Sequence, residues 1–115
     1  MVKVLELGGV VWELEQTLGL SDQDFAQALG INPRTVERWR NGTSYPQQEA
    51  RDKLRALTEL TEHLRETFSD AAAVRTWVHS GSRYLSGLAP AEVLRVGRID
   101  RVEAALEALN SGFFV

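Results

Sequence analysis

Residues 21–42, SDQDFAQALGINPRTVERWRNG, decide how this chain folds. Ser21 followed three residues later by Asp24 is an N-cap signature, because a serine hydroxyl accepts from a backbone N–H left free in the first turn. It opens a helix to about Leu29, which Gly30 breaks, glycine entering positive φ without steric cost. Asn32-Pro33 starts the next helix. Asparagine caps it, and proline at the first turn lacks only an N–H that has no partner there. Asn41-Gly42 ends it. Two short helices crossing steeply need a small residue at their contact, which Ala26 supplies. Phe25, Leu29, Ile31, Val36 and Trp39 are spaced to fill the small core between them, so Trp39 is read as core rather than as a platform for a base. Together these features specify a helix-turn-helix whose second helix is shaped to lie against DNA.

A net charge of −3 over 115 residues argues against a general coat for nucleic acid, so the placement of charge matters. Between Asn32 and Arg55 stand six bases (Arg34, Arg38, Arg40, Arg51, Lys53, Arg55) and three acids (Glu37, Glu49, Asp52), leaving +3 there and −6 elsewhere. Phosphate attraction is local, since charges beyond a Debye length of about 8 Å are largely screened. A basic face on an acidic body suits selective, salt-sensitive binding.

Upstream of this stretch, Val4, Leu7, Val10, Val11, Leu14 and Leu18 recur at three- and four-residue spacing, an amphipathic helix whose start Gly8-Gly9 delays. Downstream, Pro46 introduces a helix over about 47–67 with Ala50, Leu54, Leu57, Leu60, Thr61, Leu64 and Phe68 on one stripe, fit either for a core or for a dimer seam. Asp70 caps a helix holding Val74, Trp77 and Val78; Trp77 is expected in the core. Residues 79–83 form a polar loop, in which His79 is expected as a hydrogen-bonder. Pro90 begins a short helix ending near Gly97. A last one spans 99–110 with Ile99, Val102, Ala105, Leu106 and Leu109 inward, stopped by Gly112. The fold class is all-α: a helix-turn-helix domain with its connecting helix over 1–68, then a small helical domain with a tail over 69–115.

Composition sets the outer limits. Hydrophobic residues at 43% and charged residues at 25% describe an ordinary globular protein. No apolar run approaches the roughly 18 residues of a membrane span, and the N-terminal residues lack a leader's apolar stretch, so a cytoplasmic protein without membrane contact is expected. With no cysteine there is no disulfide or thiolate site, and His63 and His79 are too few and too distant for a metal cluster. No metal and no cofactor are expected. Paired His–acid spacing and a glycine-rich phosphate loop are both missing, so an enzyme is not expected. Glu103 and Glu107 share a helical face that solvation explains.

Residues 10–45 resemble the Xre/Cro-type repressors. The resemblance implies that Pro33, Arg34 and Arg38 face bases in the major groove; Arg34 and Arg38, four apart, share one face, and arginine on guanine is the commonest specific contact. It implies that Asn32, Thr35, Arg40, Asn41, Thr43 and Tyr45 serve phosphates or caps. Glu37 stands in the same DNA-binding set, the alternative being that it only pairs with Arg40 or Arg34. Proline at position 33 departs from the pattern, having no donor for a base edge.

The second half resembles the toxin-binding domain shared by the MbcA, ParS and Xre antitoxins, meeting its outline at Trp77, Leu85, Gly87, Pro90, Leu94, Gly97, Val102, Leu106, Leu109 and Gly112. It departs at Gly81-Ser82, where the family commonly has Pro-Asn before the arginine. The resemblance implies a type II antitoxin whose partner is a RES-domain toxin that destroys NAD, with the antitoxin's C-terminal segment at the mouth of the toxin's active site. Ser111, Gly112, Phe113, Phe114 and Val115 then form the anchor, with Arg83 and Tyr84 as nearby polar contacts. Burying one aromatic ring is worth about 1.5–3 kcal/mol, so a short tail can carry much of an interface. The competing placement folds Phe113 and Phe114 onto the last helix or a dimer partner. Two-fold repressors read paired half-sites, so a homodimer on double-stranded operator DNA is expected, repressing its own operon. The alternative is a free-standing transcription regulator whose C-terminal half senses a ligand or dimerises.

Overall fold

The computed structural model describes residues 4–112, with side chains from Glu6 onward. These residues form helices α1 (Val4–Leu18), α2 (Asp22–Leu29), α3 (Pro33–Asn41), α4 (Gln48–Thr67), α5 (Ala71–Val78), α6 (Pro90–Arg95) and α7 (Ile99–Asn110), with no strand among them. Local chemistry accounts for most of the boundaries. Ser21 Oγ accepts from the Asp24 N–H at 3.1 Å, Asn32 Oδ1 from Arg34 at 2.8 Å and Asp70 Oδ1 from Ala73 at 2.8 Å. Gly30 and Gly42 close α2 and α3 in the left-handed region, at φ 68° and 73°.

Gly8-Gly9 do not delay α1, which runs through both residues from Val4. A Cβ on Gly8 would lie 2.6 Å from the carbonyl oxygen of Arg40, so this glycine lets α1 and α3 approach backbone to backbone. Its bare Cα serves packing, and the hydrogen bonds of the surrounding turns hold the helix through it. The place of Val4 on the apolar stripe lies outside the described side chains.

Phe25, Ala26, Val36 and Trp39 are buried where α2 crosses α3. The core then continues without a break: Leu57, Leu60 and Leu64 of α4 and Leu85, Leu94, Val102 and Leu106 of the C-terminal segment belong to one buried cluster. α6 packs on α2, α7 on α4 and α5 on α1. The α4 stripe is therefore consumed inside its own chain, which excludes it as a dimer seam; α7 and the head already cover it. Trp77 and Leu109 are half-buried rather than central, with the Trp77 ring tilted against Phe68 at a centroid distance of 6.0 Å on the rim of the core. Polar ties cross the same joint. Arg65 reaches Glu13 and Thr17, Arg95 reaches Asp24, and the His79 ring meets the Leu18 carbonyl at 3.0 Å.

Candidate functional site

α3 is amphipathic by necessity: with Val36 and Trp39 buried, the residues between them must face out. Pro33, Arg34, Glu37, Arg38 and Asn41 are exposed, and Arg34, Glu37 and Arg38 make no ion pair among the described residues. The two arginines proposed as readers thus stand unneutralised, one helical turn apart. Asn32 is occupied as the N-cap. Thr43 caps the other end, its N–H and Oγ1 both donating to the Arg38 carbonyl at 2.9 and 3.2 Å. Thr35 and Tyr45 are half-buried and line a cleft of about 390 Å³ with Arg38, Trp39 and Glu49.

Arg40 is placed differently from its neighbours. Its guanidinium donates to Glu15 on α1 and to Asp22 at the start of α2. The alternative pairing of Glu37 with Arg40 or Arg34 is not formed; Arg40 turns to the α1–α2 side, where two carboxylates converge. Glu15 is 4% exposed. Burial pushes its carboxyl up to about 7; the neighbouring Asp22 carboxylate adds to this, and the Arg40 guanidinium opposes it. Sequence reading missed Glu15, although it stands four residues after Val11, three before Leu18 and seven after Gly8, on the inward face.

In the C-terminal half, Arg83 and Tyr84 are exposed on the link between α5 and α6. The buried side chain of Leu85 pins that link, and backbone bonds tie it across: Ser82 N–H to Leu88 O at 2.9 Å and Gly87 N–H to Ser82 O at 2.8 Å. A Cβ on Gly81 would sit 2.7 Å from the Gly87 carbonyl oxygen. The Gly81-Ser82 departure thus has a local reason here, as the turn closes too tightly for a side chain. Ser86 holds φ at 59°, a left-handed conformation uncommon for serine. Ser111 and Gly112 are exposed at the end of α7, while Phe113, Phe114 and Val115 lie outside the described residues. Three exposed apolar side chains were not foreseen, Trp12 at 58%, Leu88 at 44% and Val96 at 73% exposure. No helix among the described residues is long and apolar enough to cross a membrane, and none of their His, Asp or Glu side chains cluster as a metal site.

A helix-turn-helix head joined by one core to a three-helix segment with an exposed link defines the class of protein. Comparison with known proteins narrows it. Residues 63–112 match the family described as the antitoxin Xre/MbcA/ParS C-terminal toxin-binding domain. The chain is 31% identical over 100 residues to the mycobacterial cidal antitoxin MbcA of Mycobacterium tuberculosis and of Mycobacterium bovis, covering 87% of this chain and 88% of theirs. A chain of the crystal structure of the M. tuberculosis MbcT–MbcA toxin–antitoxin complex superposes with a TM-score of 0.69 at 30% identity, covering 99% of this chain and all of that one. The chain belongs to the Xre/MbcA/ParS family of antitoxins, which are not enzymes.

Proposed function

We infer that this antitoxin neutralises a RES-domain, NAD-degrading toxin by laying its C-terminal segment over the toxin's active site. In the same reading it represses its own operon as a homodimer, through α3 on operator DNA. The observation that carries the first part is likeness along the whole chain to a component of the MbcT–MbcA toxin–antitoxin complex. The operator reading draws its support from Arg34 and Arg38, exposed and unpaired on the outer face of α3. The segments assigned to the two tasks are separate in sequence, so either can be impaired alone. Domain limits of 1–68 and 69–115 describe that division of labour, although one core runs through both.

The test is co-expression with the neighbouring RES-domain gene product. The two chains are expected to co-purify, and cellular NAD to be retained. Removing Gly112–Val115 should weaken inhibition by about tenfold or more, since losing even one buried ring at about 1.5–3 kcal/mol corresponds to that factor. Full inhibition by the shortened chain would sink the occlusion reading. In the same preparation, Arg34→Ala with Arg38→Ala should abolish the shift of a duplex taken from upstream of the gene, each bidentate contact being worth about 1–3 kcal/mol. Toxin binding should be untouched.

A further inference from the structure

Arg40 lies on the helix that carries Arg34 and Arg38, but its guanidinium is spent inside the protein. We propose that Glu15, Asp22 and Arg40 form a proton-switched clamp that sets how α3 is seated on α1 and α2, and hence how Arg34 and Arg38 are presented to DNA. Arg40 is in this scheme a positioning residue and not a phosphate contact. The proposal rests on the DNA-binding reading of α3 given above and supplies its regulation.

Three observations carry it. First, the cluster joins three helices through one side chain: Arg40 of α3 meets α1 at Glu15 and the start of α2 at Asp22. Second, the backbone of Arg40 lies against Gly8 of α1, so the clamp sits where α3 already rests on α1 backbone to backbone. Third, Glu15 is nearly wholly buried, and its Oε2 has no hydrogen-bond partner. A buried carboxylate oxygen without a donor is costly while charged. A proton removes the charge and makes Glu15 a donor toward Asp22, which satisfies the site. Two carboxylates against one guanidinium leave the clamp at −1 when Glu15 is ionised and neutral when it is protonated.

Other charged groups approach α1 away from Glu15: Arg51 and Arg55 of α4 line a cleft with Leu7 and Val10, and Glu62 lines one with Glu13 and Leu14. From α5, Arg75 and His79 end on the carbonyls of Gln16 and Leu18; from α4, Arg65 ends on Glu13 and Thr17. From α3 and α2 come Arg40 and Asp22, and these alone among the described residues meet the Glu15 carboxyl. Burial, seconded by Asp22, holds that carboxyl near 7, so the switch falls close to neutral pH. As pH rises through that value, negative charge develops behind the helix that faces phosphate, and DNA affinity falls.

The experiment has two arms on the full chain. In the first, a carbon-13 NMR titration follows the side-chain carboxyls and the α3 amides. The Glu15 carboxyl should titrate near 7 and the amides of Arg40 to Gly42 should move with the same midpoint, becoming flat in Glu15→Gln, which mimics the protonated form. Titration of Glu15 with the other glutamates, or α3 amides that ignore it, overturns the clamp. In the second arm, binding of the duplex from upstream of the gene is measured at pH 6 and pH 8. Affinity should be higher at pH 6 by on the order of three- to fivefold, the effect of one unit charge about 10 Å from phosphate. Glu15→Gln and Asp22→Asn should each remove the difference, whereas His63→Gln should keep it. A coupled titration with pH-independent DNA binding overturns the regulatory role. Failure of the wild type to bind at either pH defeats the DNA-binding reading itself, and the NMR arm still decides the clamp.

Discussion

The head, α1–α3, and the C-terminal segment, α5–α7, are each three short helices, yet they are held together by different means. In the head, neighbouring helices are joined by turns of a few residues, each fixed by a side-chain cap or a left-handed glycine. In the C-terminal segment Asp70 caps α5, Glu92 Oε1 accepts from the Ala89 N–H at the start of α6 and left-handed Gly97 turns α6 into α7, but α5 reaches α6 only through the longer link 79–89, shaped by backbone bonds, one strained serine and a buried leucine. The head therefore has its shape from local chemistry. The C-terminal segment depends on what it packs against: α6 on α2 and α7 on α4. A surface made by the second kind of structure can be exact only while the first is folded beneath it.

The largest effect expected from that dependence comes from Leu106→Ala on α7. Leu106 is buried in the cluster shared with the head, and truncating a core leucine costs about 2–5 kcal/mol. Thermal unfolding should remain one transition, moved downward, and hydrogen exchange of α2 amides should accelerate together with those of α7. Head amides that stay protected would break the comparison by making the halves separate folding units. A smaller effect comes from a matched pair in α1. Gly8→Ala drives a methyl into the Arg40 carbonyl, an overlap with backbone that no rotamer relieves, and should destabilise by about 1–3 kcal/mol. Gly9→Ala meets nothing within 4 Å and should stabilise by roughly 0.5–1 kcal/mol through helix propensity alone. Melting temperatures of opposite sign from adjacent, chemically identical changes would establish that contact with α3, not helix propensity, governs position 8.

What could be read from the sequence follows the same division. Ser21, Asn32 and Asp70 cap as expected because a cap acts within three residues, and the α4 stripe is visible because helical period exposes it. Gly8 looked like a helix breaker since its partner, Arg40, is 32 positions away. The pairing of Arg40 was hidden because Glu15 lies 25 residues off, on another helix. Local signals describe a residue's neighbours along the chain, and these two positions are explained by neighbours across the fold. The C-terminal outline was legible as an ordered set of Trp, Leu, Gly and Pro positions, and most of its leucines are core. Its proposed contact residues were less so: Arg83 and Tyr84 are exposed, as are Ser86, Gly87 and Leu88 beside them, and their proposed counterpart belongs to a different molecule. Val96 and Trp12 carried no signal at all, as nothing in helical period tells an exposed apolar residue from a buried one at the edge of a stripe.

The smallest effect concerns a single joint between the two halves. His63 on α4 and Glu103 on α7 are hydrogen-bonded, and that bond together with the Glu103 charge raises the His63 pKa above its ordinary value. A histidine whose folded-state pKa is raised favours the folded state most fully below its unfolded value of about 6.5, and the benefit is lost as pH rises through the folded value. Because the pair is exposed, the effect on stability should be slight and screened by salt. Glu15 contributes a pH dependence of the same direction, since ionising a buried carboxyl also costs stability as pH rises. The two are separable by variant and by ionic strength. Glu103→Gln should flatten the pH dependence only slightly and only at low salt. Glu15→Gln should remove the larger, salt-resistant part. If Glu103→Gln instead removed most of it, the joint between the halves, rather than the base of α3, would be the main proton-sensitive point of the fold.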